Sequence, residues 1–166
     1  MRRLAPLLLV LLAGCGSMAE AQLPDPAGPP SANVAEGAPK LATCRDQLAT
    51  QWLADKAQLA VLCGRERTVD VYDVASGKRV GSTGAGIGPT DLVSDGKDAM
   101  YVVDSEGDAL LVYRRSPFQL IRRVHIIGGP YAIAFDRERW GLDITLSDKT
   151  VVHYKAGWRP VLERTR

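Results

Sequence analysis

Apolar positions from residue 58 onward fall in short runs rather than helical stripes. MYVVD (100–104), ALLVYR (109–114) and LIRRVHI (120–126) are rich in β-branched and aromatic residues. Gly, Asp and Ser clusters separate them, with no helical periodicity between. The pattern predicts strands joined by tight turns.

The runs recur at an offset of 41 residues. Gly88-Pro89 pairs with Gly129-Pro130, Leu92 with Ile133, Asp95 with Asp136, Val103 with Ile144, Leu111 with Val152 and Tyr113 with Tyr154. One step earlier, Val61 pairs with Val102, Leu62 with Val103, Val71 with Val112, Tyr72 with Tyr113 and Val80 with Ile121. A repeat of about 40 residues holding four short strands is the sequence pattern of a propeller blade. The expected fold is all-β and β-propeller-like, with about three four-stranded blades over roughly 41–87, 88–128 and 129–166. Propellers close with about four to eight blades, so three blades predict an incomplete ring with two open apolar faces. A second copy, a partner's blades or a cap within the chain would close it.

Residues 41–56, LATCRDQLATQWLADK, fit the repeat least well. Leu41, Cys44, Leu48 and Trp52 stand at helical spacing, whereas the repeat register makes about 48–54 the innermost strand of the first blade. The strand is favoured, with a helix capping a three-stranded blade as the alternative.

The repeat also decides two stretches that invite chemistry. Asp104, Glu106 and Asp108 lie in DSEGD, between the second and third strands of a unit, opposite CGRER and TLSDK in the neighbouring units. Only turn character recurs there, and Asp and Gly suit tight turns. The spacing also misses the EF-hand pattern. The glycine run GAGIGP (84–89) recurs as IGGP (127–130) without a helix or a Lys-Ser/Thr after it, so it reads as a turn between blades rather than a phosphate loop.

GPTDLVSDGKDAMYVVDSEGDALLVY resembles the YVTN-type β-propeller repeat, with YVVD at the eponymous site, and is also similar to NHL-type repeats. VDVYDVASGKRVGSTGAGIGP (69–89) resembles the second half of that repeat. The likeness covers 58–166 well and 41–57 poorly. It implies a binding or scaffolding fold, used by some relatives for assembly or hydrolysis, and says nothing of the ligand.

The chain opens MRRLAPLLLVLLAGC, with two arginines, an apolar run too short to span a bilayer, and small residues before Cys15. Leu12-Ala13-Gly14-Cys15 resembles the bacterial lipobox. The resemblance implies a signal peptide over 1–14 and Cys15 as the lipidated N-terminus of the mature chain, anchored to a membrane without crossing it. Gly16 is not the Asp of the inner-membrane retention rule, which favours the outer membrane in a two-membrane cell. Residues 16–40 are rich in Pro, Ala and Gly and predict a flexible tether for a domain over 41–166.

Cleavage changes the charge picture. The 21 Lys+Arg lose Arg2 and Arg3 and become 19 against 19 Asp+Glu. A neutral chain with scattered basic doublets, Arg114-Arg115 and Arg122-Arg123 among them, offers no nucleic-acid footprint. In an exported chain Cys44 and Cys63 predict a disulfide, since they lack metal-ligand spacing and nearby histidines.

His125 and His153 sit in strand patterns without ligand partners, and no hydrolase, zinc-protease or P-loop motif is present. No catalytic residue, metal or cofactor is assigned. Tyr131, Trp140 and Trp158, with Arg114 and Arg115, are candidates for a binding surface, because aromatic and arginine side chains anchor interfaces. The expected function is a membrane-anchored envelope lipoprotein that binds or scaffolds, its partner an envelope protein or a second copy. The alternatives are a propeller-type envelope hydrolase or lactonase, and an architectural subunit of an envelope complex.

Overall fold

The computed structural model describes residues 35–37, 44–53 and 56–163, and the structured part is all strand. The expected signal peptide, Cys15 and most of the tether lie outside the described residues. Twelve strands form three four-stranded antiparallel sheets, each in sequence order. The first holds β1 (Gln47–Trp52), β2 (Gln58–Cys63), β3 (Thr68–Asp73) and β4 (Arg79–Gly84). The second holds β5 (Pro89–Ser94), β6 (Ala99–Asp104), β7 (Ala109–Arg114) and β8 (Gln119–His125). The third holds β9 (Pro130–Asp136), β10 (Gly141–Leu146), β11 (Val151–Lys155) and β12 (Val161–Leu162). The fold is propeller-like, three blades in an open arc.

Strand wins over helix at 47–52. Pairing with β2 places Thr50 opposite Val61 and buries Ala49 and Thr50. A lone helix there would have to bury a stripe of its own. The acidic stretch is the β6–β7 turn, as its composition implies, and its last residue Asp108 is left-handed (φ 46). Arg67 (φ 55) and Lys149 (φ 74) hold the same place in the other two blades.

Neighbouring blades meet face to face across dry cores. Leu62, Val69 and Val71 of the first blade pack with Met100, Val102 and Leu111 of the second. The second blade's Tyr101, Val103 and Val112 pack with Ile133, Leu142 and Ile144 of the third. Each such aliphatic side chain stabilises by about 1.5–3 kcal/mol on burial. The middle sheet is therefore apolar on both faces.

The uniform offset of 41 fails in β10. Val102 pairs with Leu111 in the second blade, and Ile144 pairs with Val152 in the third. Leu111 and Val152 are 41 apart, whereas Val102 and Ile144 are 42 apart. The β9–β10 turn has gained a residue and the β10–β11 turn has lost one, so the slip is confined to β10. Because strand side chains alternate, one residue of slip exchanges the two faces. Val103 points toward the third blade, while Ile144 points back toward the second.

With the register corrected, the far face of the third blade is not apolar. The middle blade presents the row Val93–Tyr101–Val112 to its neighbour. The equivalent row in the third blade is Ala134–Asp143–His153. His153 Nδ1 lies 2.7 Å from Asp143 Oδ1, and Arg139 Nη2 donates to both Asp143 oxygens at 2.8 and 2.9 Å. Arg139 Nε also donates to Asp136 at 2.6 Å. The backbone N–H of Arg139, and then its side chain, hold the Asp136 carboxyl below the ordinary carboxylate range. Such charged, hydrogen-bonded groups suit a face in contact with water rather than one packed on an apolar sheet.

The first blade's far face is closed differently. Leu59, Val61, Cys63 and Tyr72 point away from the second blade, yet all are buried. Ala35, Cys44, Trp52 and Val74 pack over them, and Cys44 is disulfide-bonded to Cys63. The first blade's face is thus closed by a cap within the chain, one of the expected closures. The expected open apolar face of the third blade is instead a mixed one, its polar row flanked by the exposed Val151 and Val161.

Tyrosine hydroxyls tie blades together. Tyr113 donates to the Gly84 carbonyl at 2.7 Å, and the Gly157 N–H donates to the Tyr101 hydroxyl at 2.8 Å. Burial is the main reason both phenols are pushed well above 10. A folded-state pKa above the unfolded one gives stability that is complete below the unfolded value near 10 and lost as pH rises beyond it. The domain should therefore destabilise above about pH 10, with two phenolates appearing only on unfolding in an absorbance titration. Tyr113→Phe should cost about 1 kcal/mol in urea unfolding and remove one of those late phenolates.

Candidate functional site

Each sheet has two ends. The turns joining first to second and third to fourth strands lie at one, here the groove end. The turns joining second to third strands and the inter-blade loops lie at the other.

At the groove end the first turns of all three blades converge on a groove of about 460 Å³. Trp52, Lys56, Lys97, Arg137 and Trp140 form its walls. An adjoining groove of about 230 Å³ shares Asp95, Lys97 and Trp140 and ends at Trp158. The chain has three tryptophans, and all three line these two concavities.

Local structure fixes each one. The Trp52 indole N–H donates to the Glu36 carbonyl at 2.9 Å. Trp140 stands edge-on to Phe135 at 5.1 Å, its backbone left-handed (φ 53) at the end of a turn whose N–H groups donate to Asp136. The Lys97 ammonium lies 4.1 Å from the centre of the Trp140 ring, close enough for a cation–π contact. Trp158 is 42% exposed on the β11–β12 turn, which the Tyr101 hydroxyl holds through Gly157.

Among the described residues, Lys56, Lys97 and Arg137 form no ion pair. Asp95 is the acid of the main groove, and its Oδ1 is occupied by the Lys97 and Ala99 N–H groups. A concavity of about 490 Å³ at the other end differs, because Arg65 and Arg67 share it with Asp46 and Glu106. The main groove thus sets three cations against one acid beside aromatic surface, while the smaller groove adds a second acid, Asp98.

The structure separates the residues expected to form a binding surface. Trp140 and Trp158 come together in the smaller groove. Arg115 lies at its margin, its N–H donating to the Asp98 carbonyl at 2.9 Å. Arg114 is half-buried at the end of β7. Tyr131 sits at the opposite end, where the Lys149 ammonium donates to its hydroxyl at 3.1 Å and lies 4.7 Å from its ring centre. The sequence reading missed Trp52, Lys56, Lys97 and Arg137. The signal available was the repeat, since Lys56 and Lys97 are 41 apart and Arg137 lies in the corresponding turn of the third blade.

Cys44 and Cys63 lie beside Glu66, but their sulfurs are bonded to each other and are not available as thiolate ligands. No candidate membrane-crossing helix occurs among the described residues.

No family model and no curated protein match the chain. Solved structures do. A chain of the Kuenenia stuttgartiensis hydrazine synthase aligns at TM-score 0.59 and 14% identity, over 74% of this chain and 35% of that one. A chain of a mitotic checkpoint complex aligns at TM-score 0.60 and 9% identity, over 68% of this chain and 38% of that one. This chain therefore spans little more than a third of the chains it resembles, and at such identities the likeness is one of fold alone.

Proposed function

We propose that the chain is a lipid-anchored envelope protein whose open three-blade arc binds another envelope component through the groove end. The observation that carries this reading is the convergence of all three tryptophans and of three cations without an ion pair among the described residues on adjoining grooves built by every blade. Aromatic anchors beside uncompensated charge give affinity and orientation together.

Anchoring rests on the lipobox-like LAGC and the tether sequence. Cys15→Ser should move the protein from the membrane fraction to the soluble fraction. The binding face is tested by a photo-crosslinking residue placed at Trp158 or at Tyr131 in intact cells. A specific adduct from position 158 and none from 131 supports the groove end, and the reverse removes it.

The partner in this reading is not a second copy joined through the third blade's far face, because stacking would take the Asp143–His153 and Arg139 network out of water at a large desolvation cost. Light scattering across a concentration series should give a monomer mass. Asp143→Tyr with His153→Val, which restores the middle blade's Tyr and Val to that row, should make the mass rise with concentration.

A further inference from the structure

We propose that the two adjoining grooves at the groove end take an acidic carbohydrate, with sugar rings stacked on the indoles and carboxylates held by Lys56 and Arg137. The proposal rests on the reading of that end as the binding end and adds the chemical class of the ligand.

Shape comes first. Trp140 is common to both concavities, with Trp52 in one and Trp158 in the other. Trp52 borders the groove with its ring packed on the first blade's far face. A ligand following the grooves therefore meets the half-buried Trp140, one face of which Lys97 covers, and the exposed Trp158, each of a size to cover the C–H face of a pyranose ring. The combined space suits a short oligosaccharide rather than a single ion.

Polar chemistry comes second. Among the described residues Lys56 and Arg137 have no aromatic contact, whereas Lys97 is engaged with Trp140. Lys56 and Arg137 are the groups left for ligand carboxylates, where charge-assisted hydrogen bonds are strongest. Gln51 and the second oxygen of Asp95 line the same space and suit hydroxyl groups. An acidic peptide fits less well. Peptide recognition draws on an exposed strand edge, an apolar channel for a helix or a polyproline groove, and these walls are mostly turn residues, with only the last residues of β1 and β5 among them.

All three tryptophans lie here, so intrinsic fluorescence of the full chain in detergent reports on the site without a label. Trigalacturonate should give a saturable change in emission, and maltotriose, of the same size without charge, a much weaker one. Lys56→Ala with Arg137→Ala, both in surface turns, should weaken trigalacturonate binding about tenfold or more while leaving the urea midpoint in place. No saturable change, an unaltered affinity in the double variant, or tighter binding of hexaglutamate would each overturn the proposal. A specific crosslink from position 158 without sugar binding would leave the binding end standing and remove only the carbohydrate.

Discussion

Asp104→Ala should lower the stability of the domain by about 3–5 kcal/mol, read as a shift of the urea midpoint at unchanged slope. Asp104 is 0% exposed, and its Oδ1 accepts three backbone N–H groups, from Ile87 at 3.0 Å, Gly88 at 2.8 Å and Gly107 at 3.1 Å. The first two belong to the loop between the first and second blades, so one buried carboxylate fixes that loop and its own turn together. Gly86 in that loop is left-handed (φ 99), and a Cβ there would run into the Asp104 carboxylate. Truncation strands three half-buried donors, each costing about 1–3 kcal/mol where water does not replace the carboxylate.

Two further variants separate the contributions. Asp104 Oδ2 makes no hydrogen bond but faces Arg123 Nη1 at 3.5 Å, and the Arg123 side chain is half-exposed. Arg123→Met should therefore cost under about 1 kcal/mol, as partly solvated pairs do. Asp104→Asn keeps an Oδ1 acceptor for the three N–H groups and should recover much of the loss. If Arg123→Met proved as damaging as Asp104→Ala, the ion pair and not the backbone cradle would hold the loop.

The same residues show what the sequence could and could not disclose. The blade repeat was legible because side-chain alternation and turn chemistry recur at one spacing, down to Val80 and Ile121, which both fall at the irregularity where the outermost strand meets its neighbour. The slip in β10 was not, because a longer turn before the strand and a shorter one after it leave all flanking matches at 41. That slip also concealed the polar far face. At a uniform offset Asp143 falls opposite Val102, which lies in the core between the first two blades, and so would seem to belong between blades itself. Aromatic candidates could be read singly, and Trp140 and Trp158 do meet. Their cationic neighbours stand about 40 residues apart in the chain, and only the convergence of three turns joins them.

Removal of the disulfide, by Cys44→Ser with Cys63→Ser, should cost about 3 kcal/mol from loop entropy, the two cysteines being 19 residues apart. The effect should not stop there. Cys63 ends β2 as Asp104 ends β6, one repeat later, and β10 ends at Leu146. Each side chain at this strand end meets the chain that comes before its blade. Cys63 is bonded to Cys44, Asp104 accepts from the 87–88 backbone, and Leu146 lies where a Cβ on Gly128 would come within 3.2 Å. In the second and third blades the preceding chain is a loop from a packed neighbour, fixed by the core behind it. Among the described residues no blade precedes the first, and there the covalent bond takes that part. Without it the segment over Leu59, Val61 and Tyr72 should detach before the strands separate. Reductant added to the wild type should then raise binding of a hydrophobic dye and speed amide exchange in β2, with β6 still protected. Uniform loss of protection across both strands would show instead that the bond supports the whole arc and not its first face.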